Sequence, residues 1–282
     1  MKFYQRLCCL LIVFACLCMP FAAAQTPGIT LHYEEGGTPL TDASFRLYLI
    51  AWEDEGGRLI IAEDFSKYPI DITLDQSRWP ALASTLAAYA AFGKIPPVAQ
   101  GKTDGDGILH FSDLSHGIYL VVGDPHRRNG LTYTAEPTLL DFRGNHIDIF
   151  PKAEWVPDGG GDGQDEETIK VLKVWEDGNS QDRPQSVTVH LLRDSLVCDT
   201  VELHDGNRWN HTWKNLPTGH DYTLVEEFVD GYTVTIERHG ITYVVTNTMD
   251  DVTEPVPPDD PDGTIPETAG QFDGVSGQGR GQ

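Results

Sequence analysis

Three polar residues stand in stripes that a β-strand would reserve for apolar ones. Ile169, Val171, Lys173 and Trp175 take alternate positions of one segment. Tyr222, Leu224 and Glu226 do so in a second, and Tyr243, Val245 and Asn247 in a third. Alternate side chains of a strand leave on the same face, so each stripe carries its polar residue toward the side where the large apolar groups go. A buried Lys or Glu without a partner is costly or neutralises itself, so these residues must meet one another or fail to fold. Two outcomes are open. Lys173 and Glu226 form a buried ion pair with Asn247 as a bystander, or the amine and the carboxamide join as a covalent amide with the carboxyl as proton carrier.

The segments around these stripes are short and regularly punctuated. Residues 168–176, 186–193, 196–204, 209–216, 221–227, 233–239 and 241–248 read as strands. Turn sequences such as Glu176-Asp177-Gly178-Asn179, Asp205-Gly206-Asn207 and His239-Gly240 part them. That spacing predicts a β-sandwich. Upstream, residues 29–33, 44–52, 118–122, 132–142 and 146–150 predict further strands. Between them, 78–93 (RWPALASTLAAYAAFG) is rich in Ala and Leu, with Leu82, Leu86 and Tyr89 at helical spacing. It predicts a helix that Gly93 and Pro96-Pro97 stop. The expected fold class is all-β, two sandwiches in tandem, the first with a helical insertion at about 78–93.

The chain has 282 residues and a net charge of −23. Lys2 and Arg6, the apolar run 7–14 and Ala22-Ala23-Ala24 predict a secretory signal peptide over 1–24. The run is too short for a spanning helix, so no membrane-spanning segment is expected in the mature chain. Four of the five Cys fall in this leader. Only Cys198 remains, which excludes an internal disulfide, and its apolar run (Ser195-Leu196-Val197-Cys198) predicts a packed thiol. The acidic balance repels phosphate backbones and excludes a nucleic-acid role. Residues 156–167 form an acidic, Gly-rich linker and 250–282 a Pro- and Asp-rich stalk; neither composition can build a core.

Residues 168–249 resemble the collagen-adhesin B-type (Cna-B) domain of Gram-positive surface proteins. The resemblance is carried by Lys173-Val174-Trp175-Glu176-Asp177, Asp182 to Leu191, Trp209, Asn215-Leu216-Pro217, Tyr222 to Glu227, Gly231-Tyr232 and Val245-Thr246-Asn247-Thr248. It implies an Ig-like sandwich whose first and last strands are joined by an isopeptide between Lys173 and Asn247, with Glu226 as catalytic acid. Residues 26–155 are similar to the N-terminal domain of SpaA-type pilins through Gly37 to Leu40, Ala43-Ser44-Phe45, Thr103 to Gly107, Phe111 to Leu114, Gly117 to Val122 and Phe150-Pro151-Lys152. Here Tyr33, Gly123 and Ala153 stand where a crosslink would need Lys, Glu and Asn, so no isopeptide is expected. Lys152 matches the lysine that such pilins use to accept the next subunit. In the stalk, Ile265, Pro266, Glu267 and Thr268 resemble a sortase signal, departing from it by Ile for Leu and by Ala269 ahead of Gly270.

The resemblance implies a structural protein of the cell surface, a secreted pilin-like or adhesin-stalk subunit, not an enzyme. The partners it implies are a sortase and other pilin subunits. The alternative is a monomeric adhesin whose N-terminal domain binds a host or extracellular-matrix ligand. No cofactor is expected. The ten His are scattered with no metal-ligand spacing, and there is no Gly-x-Ser-x-Gly, phosphate loop or triad. Asp104, Asp106 and the cluster Asp177, Asn179, Gln181 and Asp182 carry oxygen ligands at alternate positions, but they also make ordinary turns.

Overall fold

Strands form where the two-residue alternation is sustained, and the computed structural model describes them over residues 27–73, 75–157, 166–180 and 183–249. The expected leader 1–24, the middle of the linker, and the stalk with Ile265, Pro266, Glu267 and Thr268 lie outside the described residues.

In chain order the first set of strands is β1 (Gly28–His32), β2 (Glu34–Glu35), β3 (Thr38–Pro39), β4 (Ser44–Glu53) and β5 (Leu59–Ile61). Helix α1 (Trp79–Phe92) follows. Then come β6 (Ala99–Lys102), β7 (Ile108–Ser112), β8 (Gly117–Gly123), β9 (His126–Arg128), β10 (Leu131–Ala135), β11 (Thr138–Phe142), β12 (His146–Ile149) and β13 (Ala153–Pro157). The second set is β14 (Glu166–Glu176), β15 (Ser186–Arg193), β16 (Leu196–His204), β17 (Asn210–Pro217), β18 (Tyr222–Glu226), β19 (Tyr232–His239) and β20 (Thr242–Met249).

The fold is all-β, two Ig-like sandwiches in tandem with one helical insertion. In the first, the sheet β11-β8-β4-β5, with β6 also on β4, faces the smaller sheets β12-β1-β7 and β13-β10-β9. Ile29, Leu31, Phe45, Leu47, Tyr119, Val121 and Phe142 fill the space between them. In the second, β17-β14-β20-β19 faces β16-β15-β18. Its first and last strands, β14 and β20, lie side by side and parallel, with Lys173 opposite Val245 and Trp175 opposite Asn247.

Helix α1 has almost no polar face, and the structure shows why. A helix that is apolar all round is buried all round. One side packs on the outer face of the β11-β8-β4-β5 sheet, where Tyr48, Ile50, Ile118, Leu120 and Leu139 point away from the first core. This is why β4 and β8 read as near-continuous apolar runs. The other side packs on β19 and β18 of the second sandwich, so one apolar cluster runs from the first sandwich through the helix into the second. Pro80 opens the helix. Gly93 ends it, its N–H bonded to the Tyr89 carbonyl at 2.8 Å. A Cβ at Gly93 would lie 2.1 Å from the Tyr68 hydroxyl, so the glycine admits Tyr68, which stacks on Tyr89 at 4.2 Å.

Two expectations are corrected. Residues 132–142 are two strands, β10 and β11, because Pro137 between them has no N–H to donate to a ladder. Cys198 is exposed on β16, since that edge strand shows solvent most of its residues on both faces. The helix matches its expected span to within one residue at each end.

Candidate crosslink site

The three polar residues of the stripes converge inside the second sandwich. Lys173 on β14 is 4% exposed, Asn247 on β20 is 1% exposed and Glu226 on β18 is 2% exposed. Strand pairing explains the placement. Lys173 sits opposite Val245, and Asn247 lies two residues further along the same strand on the same face. Neighbouring strands of one sheet therefore carry the amine and the carboxamide as a diagonal pair. Glu226 ends the last strand of the facing sheet and reaches across, its Oε2 lying 3.7 Å from the Lys173 Nζ.

The polar accounting is incomplete in an informative way. Lys173 Nζ donates to the carbonyls of Val174 at 2.9 Å and Val245 at 3.2 Å. Glu226 Oε2 and both Asn247 side-chain atoms, Oδ1 and Nδ2, are buried without a hydrogen-bond partner. Buried polar atoms are nearly always satisfied, and here an amine, a carboxyl and a carboxamide are enclosed together with three atoms unpaired.

Burial pushes the pair toward its neutral form, and the attraction between the two charges opposes it. Burial lowers the basicity of the Lys173 amine, with the Glu226 carboxylate opposing. Burial raises the Glu226 carboxyl, with Lys173 and then Asn247 opposing. The Lys173 ammonium position lies 4.2 Å from the Trp175 ring centre. Trp175 is braced edge-to-face by Trp209 and Tyr232 at 5.3 and 5.1 Å. Below them Arg183 clamps Asp177 through both its Nε and Nη2, and Tyr232 donates to Asp177 Oδ2 at 3.1 Å. Arg183 holds the Asp177 carboxyl far below the usual carboxylate range. Asp177 caps its own turn, where the Asn179 N–H donates to its Oδ1 at 3.0 Å, and Gln181 and Asp182 of the same cluster lie outside the described residues.

The helix contributes to this site from the first sandwich. Tyr89 donates from its hydroxyl to the Glu226 carbonyl at 3.5 Å. A groove of about 510 Å³ runs past Tyr68, Tyr89, Phe92, Glu226 and Phe228. Nothing in the spacing of the helix named Tyr89 as a neighbour of Glu226; the signal was the missing polar face.

Lys152 lies apart from these residues, between β12 and β13. Its side chain is 65% exposed and bonds Glu154 Oε1 at 2.8 Å, a contact that raises the basicity of the amine. In the first sandwich, Tyr33 packs edge-to-face on Phe45 at 5.1 Å. Gly123 leaves no room there, since a Cβ would lie 2.8 Å from the Phe45 ring.

Residues 169–248 match the Cna protein B-type domain. Over 82 residues the chain is also 34% identical to the collagen adhesin of Staphylococcus aureus. That stretch is 27% of this chain and only 7% of the adhesin. Among solved structures, a single B repeat unit of the collagen-binding surface protein of Staphylococcus aureus aligns at 20% identity, covering 79% of this chain and 95% of the repeat unit, with a TM-score of 0.28. The minor pilin of Streptococcus agalactiae aligns at 19% identity over 80% of this chain and 97% of the pilin, with a TM-score of 0.29. Those scores are low, and the architecture of residues 169–248 rests on the strand pairing described above. The match encloses Lys173, Glu226 and Asn247.

Proposed function

We propose that the chain is a structural protein of the cell surface, a pilin-like or adhesin-stalk subunit, whose B-type domain locks itself with an amide between Lys173 and Asn247. The observation that carries this is the convergence of an amine, a carboxyl and a carboxamide in a closed core, three of whose atoms have no hydrogen-bond partner. In support stand the family match over 169–248 and the likeness to a collagen adhesin.

The reaction needs no cofactor. In the neutral pair the Lys173 Nζ lone pair attacks Asn247 Cγ while protonated Glu226 donates to the amide oxygen. The Nζ–Cγ bond forms, Glu226 carries a proton from Nζ to Nδ2, and the Cγ–Nδ2 bond breaks. One ammonia leaves and Glu226 regains its proton. The fold supplies proximity that free side chains lack. Each molecule reacts once, so the protein is its own substrate rather than an enzyme.

The mechanical consequence follows from topology. Load that enters through β14 and leaves through β20 passes from Lys173 to Asn247 across the amide, and the chain between them is shielded. The test is intact mass. The folded chain weighs one ammonia less than its composition requires, and Glu226→Gln restores the full mass. A wild-type chain at full mass overturns the proposal.

A further inference from the structure

Tyr89 reaches the crosslink site from a different sandwich. It lies on α1, in the insertion of the first sandwich, yet its hydroxyl meets the backbone carbonyl of Glu226, the residue that ends β18. Its ring is itself buried, stacked on Tyr68 at 4.2 Å, and both Tyr89 and Glu226 line the open groove beside Phe228. On the inner side Glu226 faces Lys173 and Asn247; beyond Lys173 are Asp177 and Arg183. On the outer side its neighbour is Tyr89, and Lys67, Tyr68 and Glu227 are the other titratable groups that line the same groove.

The helix is held in place by bonds to a strand edge. β19 is the outermost strand of its sheet, and its outward N–H groups would otherwise be free. The Val234 N–H donates to the Pro69 carbonyl at 2.9 Å. The Ile236 N–H donates to Thr85 Oγ1 at 2.7 Å, and that hydroxyl in turn donates to the Ala81 carbonyl at 2.8 Å. The Thr85 hydroxyl thus fixes the register of α1 against β19, and the Pro69 carbonyl ties the segment ahead of the helix to the same edge. Thr85 and Tyr89, four residues apart, share one face of the helix.

We infer that the insertion of the first sandwich serves as a lid on the crosslink site of the second, with Tyr89 as a positioning residue whose ring keeps water off Glu226. This rests on the proposed Lys173–Asn247 reaction and adds that the reaction depends on docking of the two sandwiches. Without the ring, the groove opens onto Glu226. Water then favours the charged Lys173–Glu226 pair over the neutral pair that reacts. The hydroxyl matters less, because its bond to the carbonyl is long.

The experiment uses the full chain, collected unfolded in denaturant and refolded by dilution, with ammonia loss followed by intact mass and folding by circular dichroism. Tyr89→Ala and Tyr89→Leu slow ammonia loss on the order of tenfold, the effect of shifting the pair by about one pKa unit, with Tyr89→Leu the milder. Tyr89→Phe reacts close to the wild-type rate. The pH plateau of the rate also widens in Tyr89→Ala, because hydration stabilises the charged pair against both protonation and deprotonation. A folded Tyr89→Ala that reacts as fast as wild type overturns the role of Tyr89, and so does a slower reaction with an unchanged pH profile. A wild-type chain that never loses ammonia overturns the crosslink itself and this role with it.

Discussion

In the proposed reaction Lys173 and Glu226 share one proton, and that fixes how its rate responds to pH. With both groups protonated the amine is no nucleophile; with both deprotonated there is no acid. The rate of ammonia loss on refolding is therefore flat between two apparent pKa values that belong to the pair, and falls on either side. A rate that climbs steadily with pH would mean that Glu226 is not the acid. Nearby, Asp177 carries a second test. Its folded carboxyl is depressed by Arg183, so the pair contributes stability above the unfolded carboxylate range and loses it as pH falls through the folded value. Urea midpoints measured through the acid range should fall less steeply with pH in Arg183→Ala than in wild type. Identical slopes would show that the clamp contributes nothing.

At the scale of elements, α1 acts as both a core helix and an edge guard. Thr85→Ala leaves the buried Ile236 N–H without its acceptor and should cost about 1–3 kcal/mol in denaturant unfolding. A loss below about 0.5 kcal/mol would mean that water replaces the hydroxyl there. The strands that carry the site were legible because alternation of large apolar residues is unbroken in 169–175, 222–226 and 243–247. The same stripes displayed their polar members. The short strands β5, β6, β7, β9 and β13 were not legible, since three to five residues hold too little of a period and partners distant in sequence decide them. Pro137 could have split 132–142 in advance. The exposure of Cys198 could not be read, because Leu196 and Val197 are also exposed there, and their apolar character misleads. Tyr89 and Thr85 were hidden for another reason: helical spacing reports which residues are buried but not which sheet buries them.

At the scale of the whole molecule, an amide from β14 to β20 closes a loop of about 75 residues, which loop-entropy reasoning values at ~4 kcal/mol. The uncrosslinked Glu226→Gln chain should then melt roughly 10 °C below wild type; equal melting temperatures would leave the crosslink without a stabilising role. Assembly is a separate proposal. Lys152 is exposed ahead of β13, and we propose that it accepts the threonine carboxyl of another subunit from a sortase, with Thr268 as the donor in the motif Ile265, Pro266, Glu267 and Thr268. Co-expression with a pilus-type sortase should give covalent ladders on a denaturing gel that vanish in Lys152→Ala, and ladders that persist in that variant would exclude Lys152. A monomer that binds an extracellular-matrix protein and forms no ladder would favour the adhesin reading. The central claim is the amide itself, and the most direct measurement is tandem mass spectrometry of a tryptic digest of the folded, full-length chain. The account predicts a branched peptide that joins the segments around Lys173 and Asn247, one ammonia lighter than their sum and uncut after Lys173. Two separate linear peptides at full mass, with cleavage after Lys173, would contradict it.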